Sequence, residues 1–167
     1  STHSVLGEYW TRGLIGNDGK RIATLNFNMC DYDYPNVMGI RITEGTTIKK
    51  KGDLLVNKEL VRLMKWTDGA VGKSVSGVEG TTVGVFDDIR NRSFYSSQSP
   101  IVLIADKESA NHTINVRLKE PYDENLKRLN ECVAKTFPNV ALNFNSVDSM
   151  IREGYKSVYR FRNAVWI

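Results

Sequence analysis

Long apolar runs are missing from this 167-residue chain. Stretches such as Ile101 to Ala105 are far too short to cross a bilayer, and the first residues lack the basic-then-apolar order of a secretory signal. The chain as given therefore reads as soluble. Cysteine is scarce: Cys30 and Cys132 lie far apart, in no metal or redox spacing, so two buried thiols are preferred over one disulfide. The only histidines are His3, near a terminus, and His112, at the start of a predicted strand; neither sits in a motif that would activate a serine or cysteine nucleophile. A dominant charge is also missing. Lys and Arg number 23 against 19 Asp and Glu, a net charge of 23 − 19 = +4. A dedicated nucleic-acid binder would gather its basic residues, and here only Lys49, Lys50 and Lys51 adjoin, ahead of Gly52, which reads as a solvated turn. Composition is otherwise ordinary: 41% hydrophobic and 25% charged residues exclude disordered, collagen-like and coiled-coil classes. The length suits one domain or two small subdomains.

What is present is mostly β in the first two thirds. Residues 9 to 15 and 20 to 29 read as strands joined by a hairpin turn over Gly16, Asn17, Asp18 and Gly19. In the second run Ala23, Leu25, Phe27 and Met29 make an apolar face, alternating with Ile22, Thr24, Asn26 and Asn28. Val37 to Thr43 predicts a strand, and Asp53 to Val56 another. Asn57 reads as the N-cap of a helix from Lys58 to about Lys65, with Leu60, Val61, Met64 and Trp66 on its buried side. A glycine-rich stretch from Gly69 to Gly80 leads to strands at Thr81 to Phe86 and Ile101 to Ala105.

The texture changes near Asn111. His112 to Lys119 alternates, with Ile114, Val116 and Leu118 on one face, and predicts a strand. Asp123 to Phe137 predicts a helix whose stripe is Leu126, Leu129, Cys132, Val133 and Phe137, stopped by Pro138. Val140 to Phe144 predicts a strand and Ser146 onward a helix, giving one half of a split βαβ or ferredoxin-like module. In that last helix Val147, Ile151, Gly154, Val158, Phe161 and Val165 form one stripe, and Arg160 and Arg162 precede the apolar Ala164 to Ile167. The expected organisation is α+β, with a β-rich part at 1–111 and a βαβα part at 112–167.

Catalytic motifs are imitated but not completed. Gly72, Lys73 and Ser74 resemble the end of a phosphate-binding loop, yet Thr67 stands where its first glycine belongs and a strand-like stretch follows where a helix is needed. Asp31, Asp33 and Asn36 hint at a calcium loop, but Asn36 replaces its glycine and Ile42 its closing glutamate. Asp87 and Asp88 are adjacent, and neighbours on a strand point to opposite faces, so a shared site requires the chain to turn there. Asn91 and Asn111 begin glycosylation-type triplets, which arise often by chance. No catalytic, cofactor-binding or metal-ligating residue is assigned.

Two longer stretches are more specific. Leu54-Leu55-Val56-Asn57-Lys58-Glu59-Leu60, leading through Met64, Lys65 and Trp66 to Ala70-Val71-Gly72-Lys73, matches an aliphatic run, Asn-x-x-hydrophobic, a short helix and a closing hydrophobic-Gly-Lys. Val83-Gly84-Val85-Phe86-Asp87-Asp88 matches Val-Gly-Val-x-x-Asp, followed by Arg92, Ser93 and Phe94 before Pro100 to Leu103. Upstream, Met38, Gly39, Ile40, Glu44 and Gly45 match a Leu-Gly-Ile stretch ending in Glu-Gly. In order and spacing, over roughly residues 28 to 167, the chain resembles the MacB-like periplasmic core domain of FtsX-type ABC transporter permeases. It departs at Ala70, where the pattern has proline, and in the N-terminal porter-like strand and helix, which are absent or reduced to residues 1 to 9.

The resemblance implies a β-rich Sabre-like subdomain and a partial, porter-like ferredoxin-type βαβ subdomain whose last helix leads to the membrane. It implies a soluble fragment of a membrane protein, on the periplasmic side of the inner membrane of a Gram-negative bacterium. The domain would do no covalent chemistry and need no cofactor. It would couple ATP hydrolysis by a separate cytoplasmic ABC ATPase to substrate export, or other work outside the membrane, by mechanotransmission. The permease would act as a dimer or pseudo-dimer, with a periplasmic adaptor or outer-membrane channel as further partners and no nucleic acid. Two rivals stand beside this reading: a metal-dependent hydrolase using Asp87 or Asp88, and an RNA-binding module. The second is the weaker, because Val140 to Phe144 lacks the paired aromatics that stack bases.

Overall fold

The computed structural model describes residues 9–16, 18–88, 98–109 and 113–139, together with 144, 146 and 149. The chain divides into two compact units, Ser1–Asn115 and Val116–Ile167. The first is built on a mixed six-stranded sheet. Strands β1 (Trp10–Ile15) and β2 (Arg21–Cys30) form the expected antiparallel hairpin, with Trp10 opposite Phe27 and Leu14 opposite Ala23. Its turn is closed by the Gly16 amide donating to the Lys20 carbonyl, with Gly19 at a φ of 75°.

The remaining strands are β3 (Ile42–Gly45), β4 (Asp53–Asn57), β5 (Thr81–Phe86) and β6 (Ile101–Ala105), in the spatial order β1-β2-β6-β4-β5-β3. Strand β6 runs parallel to β2 and antiparallel to β4, which is itself parallel to β5. A parallel pair needs a crossover connection, and α2 (Lys58–Leu63) with the loop after it supplies one between β4 and β5.

Both faces of this sheet carry a core. On one, Leu60, Met64 and Trp66 from α2 and its exit join Leu14, Leu25, Leu54, Val56, Val85 and Val102. On the other, Tyr34 and Ile48 join Cys30, Leu55, Phe86, Ile101 and Leu103. One residue of slip between β4 and β5 pairs Leu54 with Thr82 and Leu55 with Gly84, leaving Val83 as the extra residue. That is why Val83 and Val85, which simple alternation would place on one face, belong to opposite clusters.

Two expectations are corrected. The polar face predicted for β2 is buried at Asn26 and Asn28, because β2 is flanked by β1 and β6 and the second cluster covers that side; the Asn28 amide nitrogen donates to Tyr34 Oη at 3.3 Å. Val37 to Thr43 is not one strand. The chain first makes a single helical turn, α1 (Tyr34–Val37), favoured by Pro35 near its start, and extends only from Ile42. Asp31, in the calcium-loop imitation that the sequence already left incomplete, uses its carboxylate to accept the Asp33 and Tyr34 amides at 3.0 and 2.9 Å.

In the second unit, α3 (Tyr122–Thr136) forms where expected. Leu126, Leu129 and Val133 are half-buried, whereas Cys132 and Phe137 are exposed, so the predicted stripe is narrower than its spacing suggested. Among the described residues, 113–119 are not assigned to a strand, and Ile114 and Val116 are exposed. Val140 to Asn143 and nearly all of the helix predicted from Ser146 lie outside the described residues.

Candidate functional site

The densest polar arrangement gathers where β4 and β5 end and β6 begins. Asn57 is fully buried and uses every hydrogen-bonding capacity of its carboxamide. Its Oδ1 accepts the Leu60 amide at 3.1 Å, the expected N-cap bond, and the Ile101 amide at 2.8 Å. Its Nδ2 donates to Asp88 Oδ1 at 2.7 Å and to the Ser99 carbonyl at 2.9 Å. Asp88 Oδ1 also accepts the Glu59 amide at 3.0 Å. Two motif residues far apart in sequence, the Asn of Asn-x-x-hydrophobic and the Asp of Val-Gly-Val-x-x-Asp, therefore meet side chain to side chain.

Asp87 faces different partners. Lys58 Nζ lies 2.5 Å from Asp87 Oδ1, and Arg41 Nε lies 3.7 Å from its Oδ2. The hydrogen bond from Lys58 holds the Asp87 carboxyl below the usual carboxylate range, with its charge and that of Arg41 pulling the same way. The two aspartates are thus separately engaged. Among the described residues no group of three or more His, Cys, Asp or Glu side chains stands close enough to hold a metal ion.

A second pair of motifs also converges. Glu44 on β3 accepts the Ala70 and Val71 amides at 2.9 and 3.4 Å, tying the Glu-Gly stretch to the hydrophobic-Gly-Lys loop. The glycines between them are required by close approach. A Cβ on Gly84 would run into the Thr46 carbonyl oxygen, and one on Gly45 into the Val83 carbonyl oxygen. Spacing alone does not show such long-range contacts; the only sequence signal for them was the resemblance of these blocks, in order and spacing, to one family pattern.

The remaining imitations resolve into ordinary structure. The Gly72 amide donates to the Thr82 carbonyl at 2.8 Å and the Lys73 amide to the Ala70 carbonyl at 3.1 Å, so neither is free to cradle a phosphate. The Lys73 ammonium pairs with Asp68 and lies 5.6 Å from the centre of the Trp66 ring. Buried Asp53 accepts the Lys49 and Lys50 amides at 2.8 and 3.0 Å, and Lys51 pairs with Glu108 at 3.0 Å, so the lysine triplet is a folded turn. Neither cysteine is in a disulfide: Cys30 is buried as expected and Cys132 is not. His3, His112, Asn91, Asn111, Arg92, Ser93 and Phe94 lie outside the described residues.

No family model matches the chain, and no curated protein matches it in sequence. Solved structures do match. A domain of a protein assigned as a permease from Porphyromonas gingivalis superposes with a TM-score of 0.52 at 20% identity, over 86% of this chain and 78% of that one. The periplasmic region of MacB from Actinobacillus actinomycetemcomitans superposes with a TM-score of 0.52 at 15% identity, over 77% of this chain and 64% of that one. This chain has their α+β fold. The match spans less than two thirds of the MacB region. Among the described residues no helix is long and apolar enough to cross a membrane.

Proposed function

We propose that this chain is the extracytoplasmic domain of a MacB-like ABC transporter permease, on the periplasmic side of the inner membrane. The observation that carries the reading is the fold shared with the periplasmic region of MacB. The meeting of Asn57 with Asp88, and of Glu44 with the Ala70 and Val71 amides, supports it, because the residues behind the resemblance are those that hold the sheet's ends together. In this reading the domain does no covalent chemistry. A cytoplasmic ATPase hydrolyses ATP, and the domain passes the motion of the membrane helices to substrate outside the membrane, in an FtsX-like mechanotransmission or in efflux. A second permease copy, an adaptor or an outer-membrane channel would be its neighbours.

The hydrolase reading is disfavoured by geometry: Asp87 is held by Lys58 and Arg41 while Asp88 is bound into the Asn57 cluster. The test is purification of the full-length protein from detergent-solubilised membranes of its own cell. Co-purification of an ABC ATPase, with ATP hydrolysis lost when that subunit is removed, is the expected result. Recovery as a free soluble protein with no ATPase subunit would contradict the proposal.

A further inference from the structure

The last strand before the second unit is β6, which ends at Ala105, ahead of the boundary between Asn115 and Val116. Motion of the second unit that is passed along the chain therefore reaches the sheet at the Ala105 end of β6. This strand lies inside the sheet, between β2 and β4, and Ile101, Val102, Leu103 and Ala105 are at most 2% exposed. It pairs in parallel with β2 from Asn26 and Ile101 to Cys30 and Ala105, and antiparallel with β4 over Val102 to Ile104. Its exit is tied on both flanks. The Asp106 amide donates to the Cys30 carbonyl at 3.0 Å on the β2 side, and the Gly52 amide to the Ala105 carbonyl at 3.2 Å on the β4 side. Lys51 Nζ lies 3.7 Å from Asp106 Oδ1 and 3.0 Å from Glu108 Oε2, and the Ser109 hydroxyl donates to Asp106 at 2.8 Å.

We infer that β6, held between β2 and β4, is a shear clamp through which the second unit moves the sheet as one body; its purpose rests on the mechanotransmission reading proposed above. Ladder hydrogen bonds run across the gap between strands. A pull along β6 from its Ala105 end, with β2 held at its start, therefore loads the bonds of both ladders together. A pull that parts the adjacent ends of β2 and β6 opens the ladder one pair at a time. Parallel pairing fixes which ends these are: Arg21 starts β2 at the end away from Ala105, whereas Cys30 ends it beside Ala105. An edge strand would have one ladder to resist the same pull, and β6 has two.

Single-molecule force spectroscopy on the full 167-residue chain tests it. Handles attach through thiols at two pairs of exposed positions: Lys20→Cys with Lys107→Cys, which shears β6 against β2, and Asn36→Cys with Lys107→Cys, which parts their adjacent ends. The background is Cys132→Ser, and Cys30 is fully buried, so neither native thiol takes a handle. The shear pair is expected to unfold the first unit at a force at least about twice that of the parting pair, because the ladder bonds share the load instead of yielding in turn. A smaller ratio would overturn the inference. The chain is pulled alone, so that failure is distinct from a failure of the ATPase co-purification that tests the permease reading.

Discussion

Asn57 and Thr82 mark the two extremes of polar burial in this sheet. Asn57 is buried with every donor and acceptor used, whereas the Thr82 hydroxyl is buried with no hydrogen-bond partner among the described residues. An unmade buried hydrogen bond costs about 1–3 kcal/mol, and an apolar group of similar shape avoids it. Thr82→Val should therefore raise stability by about 1 kcal/mol. Its thermal melt is the check, and an unchanged or lower Tm would show that the hydroxyl is satisfied in solution. The N-cap role of Asn57 was legible in sequence because the bond to Leu60 spans three residues. Its bonds to Asp88, Ser99 and Ile101 were not, since they depend on which strands become neighbours. The burial of Asn26 and Asn28 escaped for the same reason: alternation shows two faces and not whether both are covered.

At the scale of elements, what the sequence revealed best was local. The hairpin followed from its turn residues, and α2 from its cap and the spacing of its apolar side chains. Leu60 is fully buried and Trp66 is 9% exposed, both within the cluster that joins α2 to the sheet. Leu60→Ala should cost about 2–5 kcal/mol and Trp66→Ala about 3–5 kcal/mol. Wild-type melting temperatures for both would mean that α2 does not anchor this core. One predicted strand starts late for a local reason: residues after Pro35 make a helical turn that period-two alternation does not register, and the chain extends only from Ile42.

For the whole molecule, the strand order was not readable, because it places β6 between β2 and β4 and sends β3 to the edge opposite β1. The α+β class was readable, from strands followed by a helical pattern, and the resemblance pointed to the fold later found in permease-derived domains. In the proposed function this domain lies outside the inner membrane. The two cysteines offer a reporter for it. Cys30 is fully buried and its thiol is pushed up to about 12 by that burial, so it stays silent to thiol reagents in the folded protein. Cys132 is exposed on α3. The most direct measurement treats cells making the full-length protein with a membrane-impermeant maleimide after permeabilising only the outer membrane, with Cys132→Ser as the control. Labelling that depends on Cys132 and precedes inner-membrane lysis is the predicted result. Cys132-dependent labelling that begins only after the inner membrane is broken would contradict the account.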